Sequence, residues 1–449
     1  MNLTSITAPV FLRRAGYGDF LRYLADAEAV QWKPSAEIRR LQWQRFQAIL
    51  AHAAQRVPYY RDLFAERKLT VRSVESLADL QRVPLLMKAV VLAQGDRLLT
   101  EGVDKSTLSS RYSSGSTGRP TTVYLDRDRA NRSWGFNTRH NLWAGLGWGC
   151  KLGSMWAAAP EVRPVANTGL RAVKQRLMSR AMGNPREVHL NPFNYTEAQM
   201  QRFAEQLVSF RPDVLLGYSN SLYFLAKHVQ AAGIEGIRPR GIICGGESLD
   251  AEGRRLLESV FASQVFLRYG SRETDIIASE CEHGRLHVND DNLLVEVLTD
   301  PGQPYGRVVI TDLWNYAMPL IRYEIGDFAS WSDQRCACGR GLSILAGVEG
   351  RSSEMFKTRD GRMVSGLWFT DVLRGLLAVK RFQVRQTDYD AFHIRITTDS
   401  DSALDVLLAD AFAKIRGHFG DATRITVVRE NEIAQEASGK FKFLISDVR

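Results

Sequence analysis

Between Gln199 and Arg268, amphipathic helices and short apolar strands take turns, and this alternation constrains the fold more than any other feature of the chain. Met200–Phe210 reads as a helix, Asp213–Gly217 as a strand, Ser221–Ala232 as a helix and Gly241–Cys244 as a strand. Ala251–Phe261 and Gln264–Arg268 repeat the pair. Strands separated by helices run parallel in one sheet, with helices on both faces. Leu293–Leu298 and Arg307–Leu313 read as strands of a more antiparallel section.

Upstream, Ile38–Phe64 places Leu41, Phe46, Ile49, Leu50, Ala53 and Val57 on one helical face, stopped or kinked at Pro58. Val90–Thr100 reads as a further helical piece, and a polar Gly-rich stretch from Ser109 to Gly118 leads into a strand at Thr121–Leu125. The last hundred residues change character. Arg381–Arg385, Phe392–Thr397 and Thr423–Arg429 read as strands around an amphipathic helix at Ala403–His418. The expected class is α/β: a large N-terminal domain over 1–350 with mixed sheets and flanking helices, its first 105 residues helical. A small α+β domain follows over 351–449, with the boundary near Gly350-Arg351.

Hydrophobic residues make up 45% and charged residues 24% of the 449, enough to bury a large core. No apolar run approaches the roughly 18 residues of a membrane helix. Ala8–Leu12 is too short for a signal core, and Arg13-Arg14 follow it rather than precede it, so a cytoplasmic location is expected. Five cysteines form no disulfide framework and suit a reducing compartment. The net charge of +9 is either a solvated basic surface or an attraction for anionic small molecules such as ATP. Nucleic-acid motifs of the zinc-finger, homeodomain or RNP type are not found.

Tyr112-Ser-Ser-Gly-Ser-Thr-Gly-Arg-Pro-Thr121 collects hydroxyls, glycines and one cation. Glycines let backbone amides approach an anion, hydroxyls donate further bonds, and Arg119 adds charge. The spacing is not that of a Walker A loop. A flexible connection has the same composition. Gly245-Gly246-Glu247 follows one expected strand and Tyr269-Gly270-Ser271-Arg272-Glu273 the next. Both therefore sit at the carboxyl ends of strands, where open α/β sheets bind ligands. Arg322-Tyr323-Glu324-Ile325-Gly326-Asp327 adds a carboxylate in a turn.

Together and in this order, these segments resemble the adenylate-forming superfamily of acyl-CoA synthetases. The likeness is to the phenylacetate-CoA ligase branch with its capsular-polysaccharide-associated relatives, and it runs from Val57-Pro-Tyr-Tyr-Arg61 to Gly439-Lys440. The resemblance implies that Ser113, Ser114, Gly115, Ser116, Thr117, Gly118 and Arg119 grip the ATP phosphates. It implies that Gly246, Glu247 and Tyr269, with Gly270 and Ser271, line the nucleotide, that Asp327 binds the ribose, and that Glu273 holds Mg²⁺. Arg351 follows the hinge glycine, and Lys440 is the late catalytic lysine. A carboxylate is already ionised at neutral pH, so its attack on phosphorus needs positive charge and oriented amides rather than a base. Two departures stand out: Arg119 replaces the lysine of many relatives, and Ser353 occupies the hinge position within Gly350-Arg-Ser-Ser-Glu354.

Cys281-Glu-His-Gly-Arg-Leu-His287 and the later Cys336-Ala-Cys338 could make a Cys₃His zinc site. The family position favours His287 as the fourth ligand, with His283 as the alternative. Four protein ligands would make the metal structural. Trp134, Phe136, Asn137, Trp156, Tyr218 and Ser219 could line an acyl pocket, although aromatics are commonly core. The expected activity is ATP-dependent formation of an acyl-AMP from a carboxylic acid, then transfer to a thiol such as coenzyme A. Transfer to an amine is the alternative, and a non-catalytic nucleotide-binding protein is the second alternative.

Overall fold

The computed structural model describes residues 9–10, 12–14, 18–112, 121–156, 186–192, 195–351, 355–365, 369, 372–373, 379–398, 404–433 and 444–448. The N-terminal region is helical: α1 (Gly18–Val30), α2 (Ser35–Arg56), α3 (Pro58–Glu66) and α4 (Lys88–Gln94). The pattern expected across Ile38–Phe64 is two helices. Val57 is extended at φ −111°, ψ 118°, and Pro58 opens the next helix from its first turn. The helix expected over Val90–Thr100 ends at Gln94, because Gly95 turns to φ +51°; a short 3₁₀ turn follows.

A hairpin of β1 (Ser109–Tyr112) and β2 (Thr122–Leu125) leads into α5 (Arg127–Trp143). Sequence periodicity did not indicate α5. Its buried residues are Arg129, Ser133, Gly135, Phe136, Arg139 and His140, so it shows no apolar stripe. Ion pairs hold it instead. Arg129 meets Asp312 at 2.8 Å with both side chains fully buried, and Arg139 meets Asp291 at 3.0 Å.

The main sheet draws on β3 (Lys151–Met155), β4 (Arg186–His189), β5 (Val214–Tyr218), β6 (Gly241–Gly245), β7 (Gln264–Ser271), β8 (Asp275–Glu280) and β9 (Leu286–Val288). It continues through β10 (Leu293–Thr299), β11 (Gly306–Asp312), β12 (Tyr323–Ser332) and β13 (Ile344–Arg351). The strand order is β10-β11-β12-β13-β9-β8-β7-β6-β5-β3-β4. Pairings from β4 to β7 are parallel and the rest antiparallel. The parallel connections run through α6 (Glu197–Phe210), α7 (Ser219–Ala231) and α8 (Ala251–Phe261), as the alternation requires. A capping box at Thr196 and Gln199 starts α6, and the Asp250 carboxylate caps α8.

The sheet's two faces separate by strand parity. Leu215, Ile242, Cys244 and Val265 pack with Phe203, Leu222 and Leu257 of the three helices. Leu152, Val214, Ile243 and Phe266 face the other way, with Ala144 and Leu146 just past α5. The final region forms β14 (Met355–Lys357), β15 (Met363–Ser365), β16 (Val379–Asp388), β17 (Ala391–Thr398), α9 (Leu404–Phe419), β18 (Arg424–Arg429) and β19 (Leu444–Ser446). Its four-stranded sheet, β18-β17-β16-β19, encloses a core of its own around Phe369, Phe382, Phe392, Ile394 and Ile415. Among the described residues, no helix is long and apolar enough to cross a membrane.

Candidate active site

The strands β5, β6 and β7 deliver their carboxyl ends to one edge, and the predicted nucleotide residues collect there. Gly246 follows β6 with φ +72°, and a Cβ at that position would come within 2.8 Å of the Tyr218 ring. Only glycine permits both the turn and the approach. The Tyr269 hydroxyl donates to Asp327 Oδ2 at 3.0 Å, across 58 residues of sequence. Asp327 in turn stands opposite Arg351 in the β12–β13 register. The positions expected to meet adenine, ribose and hinge thus share one neighbourhood.

Glu273 lies in the turn between β7 and β8 and is 9% exposed. The Tyr323 hydroxyl donates to its Oε1 at 3.2 Å. Tyr323 sits inside the Arg322–Asp327 motif, and sequence reasoning gave it no role; its place between Arg322 and Asp327 was the only signal. The turn itself is built locally. A Cβ on Gly270 would fall 2.6 Å from the Asp275 carbonyl, and the Thr274 amide donates to Ser271 Oγ at 3.2 Å. Arg129 braces it from α5 by donating to the Thr274 carbonyl at 3.2 Å.

Glu247 does something local. Its Oε2 accepts from the Asn220 amide at 3.1 Å, at the start of α7, and its carbonyl accepts from Ser219 Oγ at 2.9 Å. Ser219 is fully buried in that contact. Arg322 belongs to the scaffold too: it forks onto Glu296 at 2.9 and 3.0 Å and donates to the carbonyls of Leu80 and Val83.

Ser113, Ser114, Gly115, Ser116, Thr117, Gly118 and Arg119 lie outside the described residues, as does Lys440. The base of the expected phosphate loop is described: Tyr112 pairs with Thr122, and Arg111 reaches Asp275 at 3.5 Å. That contact joins the hairpin to the turn carrying Glu273. Of the acyl-pocket candidates, Trp134 stacks on Phe20 at 4.2 Å. Phe136 is buried in α5, and Asn137 donates to Asp275 Oδ2 at 2.7 Å. Trp156 stacks on Tyr218 at 4.5 Å between centroids.

A second cluster forms where β8 and β9 meet the loop between β12 and β13. Donor atoms of Cys281, His287, Cys336 and Cys338 all lie within 4.8 Å of one another. Cys281 Sγ is 3.6 Å from Cys336 Sγ, and Cys338 Sγ is 3.3 Å from His287 Nε2. A zinc tetrahedron with Zn–S near 2.3 Å places its donors roughly 3.8 Å apart, so the set fits that ion. The His287 ring turns Nδ1 toward the Leu342 carbonyl at 3.4 Å, which leaves Nε2 to face the thiols. His283 contributes only its backbone amide, to Cys281 Sγ at 3.4 Å. Burial pushes the Cys281 thiol up to about 12 and holds His287 down to about 4.

Residues 356–447 match the CapK C-terminal domain family. The chain is 20% identical to Protein CapK of Staphylococcus aureus, over 92% of this chain and 90% of that protein. It is 23% identical to a phenylacetate-coenzyme A ligase of Thermus thermophilus, over 91% of this chain and 96% of the ligase. The fold matches 2-hydroxyisobutyryl-CoA ligase, solved in the postadenylation state with R3-HIB-AMP, at a TM-score of 0.73 and 19% identity, covering 93% of this chain and 91% of that one. Along nearly its whole length, the chain is thus similar to CapK and to phenylacetate-CoA ligases, and it shares the fold of an adenylate-forming CoA ligase.

Proposed function

We propose that the protein activates a carboxylic acid with ATP and passes the acyl group to coenzyme A. The observation that carries this reading is the Tyr269–Asp327 hydrogen bond at the carboxyl edge of the parallel strands, where Gly246 follows β6 and Glu273 follows β7. A carboxylate oxygen attacks the α-phosphorus, the bond to the bridging oxygen breaks, and pyrophosphate leaves with that electron pair. Tyr269 and Gly246 line the adenine and Asp327 holds the ribose. Loop residues 113–119 grip the phosphates. Lys440 supplies positive charge at the reacting oxygens, and Arg351 sits beside the ribose aspartate. Glu273 offers a carboxylate oxygen to Mg²⁺, which would neutralise phosphate charge. The small domain over 351–449 acts as a lid over the site formed by 1–350. Transfer to an amine in place of the thiol is the second reading.

Cys281, His287, Cys336 and Cys338 hold a structural zinc, since four protein donors leave no position for substrate. Thiol ligands of this kind belong in a reducing cytoplasm.

Exchange of labelled pyrophosphate into ATP, dependent on an added acid, tests the first half-reaction. Exchange is expected with at least one acid of a broad panel, and Lys440→Ala should slow it far more than it weakens ATP binding. Absence of exchange across the panel would leave a non-catalytic nucleotide-binding protein. Equal losses of exchange and binding in the variant would remove Lys440 from its role. AMP release that rises with an amine and ignores coenzyme A would favour the amide product.

A further inference from the structure

A cavity of about 510 Å³ lies between α1, α5 and Arg45 of α2. Asp291, ahead of β10, and Trp314, just past β11, complete its lining. Gly246, Tyr269, Glu273 and Asp327 take no part in it. Helix α5 contributes Arg132 and Phe136, one turn apart on one face. Asn137 lies on the adjoining face and meets Asp275, beside the turn that carries Glu273. The cavity and the candidate nucleotide site thus flank one helix without sharing a residue of the nucleotide motifs.

Four cations line the cavity, Arg22, Lys33, Arg45 and Arg132, against two acids, Asp26 and Asp291. Asp291 is already taken, since both its carboxylate oxygens accept from Arg139 at 3.0 Å. Asp26 is exposed and forms no ion pair among the described residues. Arg22 pairs with Asp19, and Lys33 pairs with Glu37. Arg45 and Arg132 differ from these. Both guanidiniums lie over the Trp314 ring, at 4.7 and 3.6 Å from its centroid, and Arg132 also lies over Tyr23 at 3.8 Å. Contacts with ring faces leave the N–H edges to find acceptors. Arg132 Nε donates to Asp128 at 2.8 Å, and Arg45 Nη1 donates to the Asp291 carbonyl at 2.8 Å. Their other N–H groups have no acceptor among the described residues. Burial draws the Arg45 guanidinium below its usual range; Asp291 and Asp26 oppose this, and Arg132 adds to it. Two like charges over one indole ring repel each other, and an anion between them would relieve that cost.

We propose that this cavity binds a small phosphate ester, its phosphate bridging Arg45 and Arg132 and its organic group lying against Ala27, Val30 and Phe136. A phosphate brings close to two negative charges and three acceptor oxygens to two forks of donors. The volume is larger than a bare ion fills and falls in the range of small-molecule sites, about 300–1,000 Å³. The apolar strip takes up the remainder. This site goes beyond the adenylation reading and does not rest on it.

Calorimetric titration of the full chain with phenyl phosphate, inorganic phosphate and phenylacetate tests this. Phenyl phosphate should bind more tightly than inorganic phosphate, because only the ester carries a ring for the apolar strip. Arg45→Met and Arg132→Met should each weaken phenyl phosphate about tenfold or more. Asp26→Asn removes an acid from the cavity and should tighten it several-fold. Arg119→Met, in the expected phosphate loop, should leave it unchanged. The Tm of each variant without ligand reports its folding; should Arg132→Met fail to fold, Arg45→Met and Asp26→Asn decide. The absence of saturable phenyl phosphate binding, or an unchanged affinity in Arg45→Met, overturns the proposal. A loss confined to Arg119→Met also overturns it, by placing the phosphate at the expected nucleotide loop. Inorganic phosphate binding as tightly as the ester overturns the organic half of the site. Phenylacetate weakened by Arg45→Met as far as phenyl phosphate overturns the choice of a phosphate.

Discussion

Two sets of arginines sit against the large sheet and behave in opposite ways. Arg129, Arg139 and Arg322 each face a carboxylate at 3.0 Å or less, and each also donates to a backbone carbonyl. Arg268 lies half-buried near the strand ends with an amide oxygen as its one hydrogen-bond partner among the described residues. The first set fastens α5 and the N-terminal helices to the sheet. The second leaves charge uncompensated beside the proposed site of chemistry. The lesson is that the most deeply buried arginines here are also the fully paired ones.

Mutation can break this contrast. The largest effect is expected for Arg129→Met, which strands Asp312 in the core and should cost about 3–5 kcal/mol in denaturant unfolding. A loss below about 1 kcal/mol would mean that the pair is no clamp. Next comes the cysteine cluster, whose four donors are proposed to be completed by a zinc ion. Purified protein should carry stoichiometric zinc by elemental analysis. Cys336→Ser should lose it and lower Tm by about 5 °C or more. Retained zinc in that variant, or none in the wild type, would refute the site. Tyr269→Phe removes one hydrogen bond to a carboxylate, so stability should fall by about 1 kcal/mol and ATP binding should weaken several-fold. Unchanged ATP affinity would detach the Tyr269–Asp327 contact from the nucleotide. The smallest stability change belongs to Arg268→Met, within about 1 kcal/mol of the wild type, because no ion pair is lost. A loss as large as that of Arg129→Met would erase the distinction.

Much of the fold was legible in the sequence. The helices and strands expected from Met200 to Arg268 lie within a few residues of α6 through β7, because apolar periodicity there is undiluted. The α+β unit at the end was legible for the same reason: Ala403–His418 is the helix Leu404–Phe419. The helix α5 was missed, since its inward face is built of Arg129, Ser133, Arg139 and His140 and gives no hydrophobic signal. In the candidate site, the order of motifs singled out Gly246, Tyr269, Glu273 and Asp327 as candidates, and the fold gathers them near one sheet edge. It did not indicate that Glu247 and Ser219 are spent on the turn before α7, nor that Arg322 is a structural fork. Those roles depend on partners 26 to 28 residues away, which local composition cannot show.

By itself the sequence determined the parallel α/β layout and the resemblance carried by motif order, because periodicity and motif order are local properties. Tertiary structure decided what contacts distant in sequence must decide. It set Tyr269 on Asp327 and Tyr323 on Glu273, it chose His287 over His283 beside the three thiols, and it left Arg268 without a carboxylate partner among the described residues. The physical reason is strand register: pairing fixes which side chains share a face and an edge, and only the folded sheet brings four strand ends into one row.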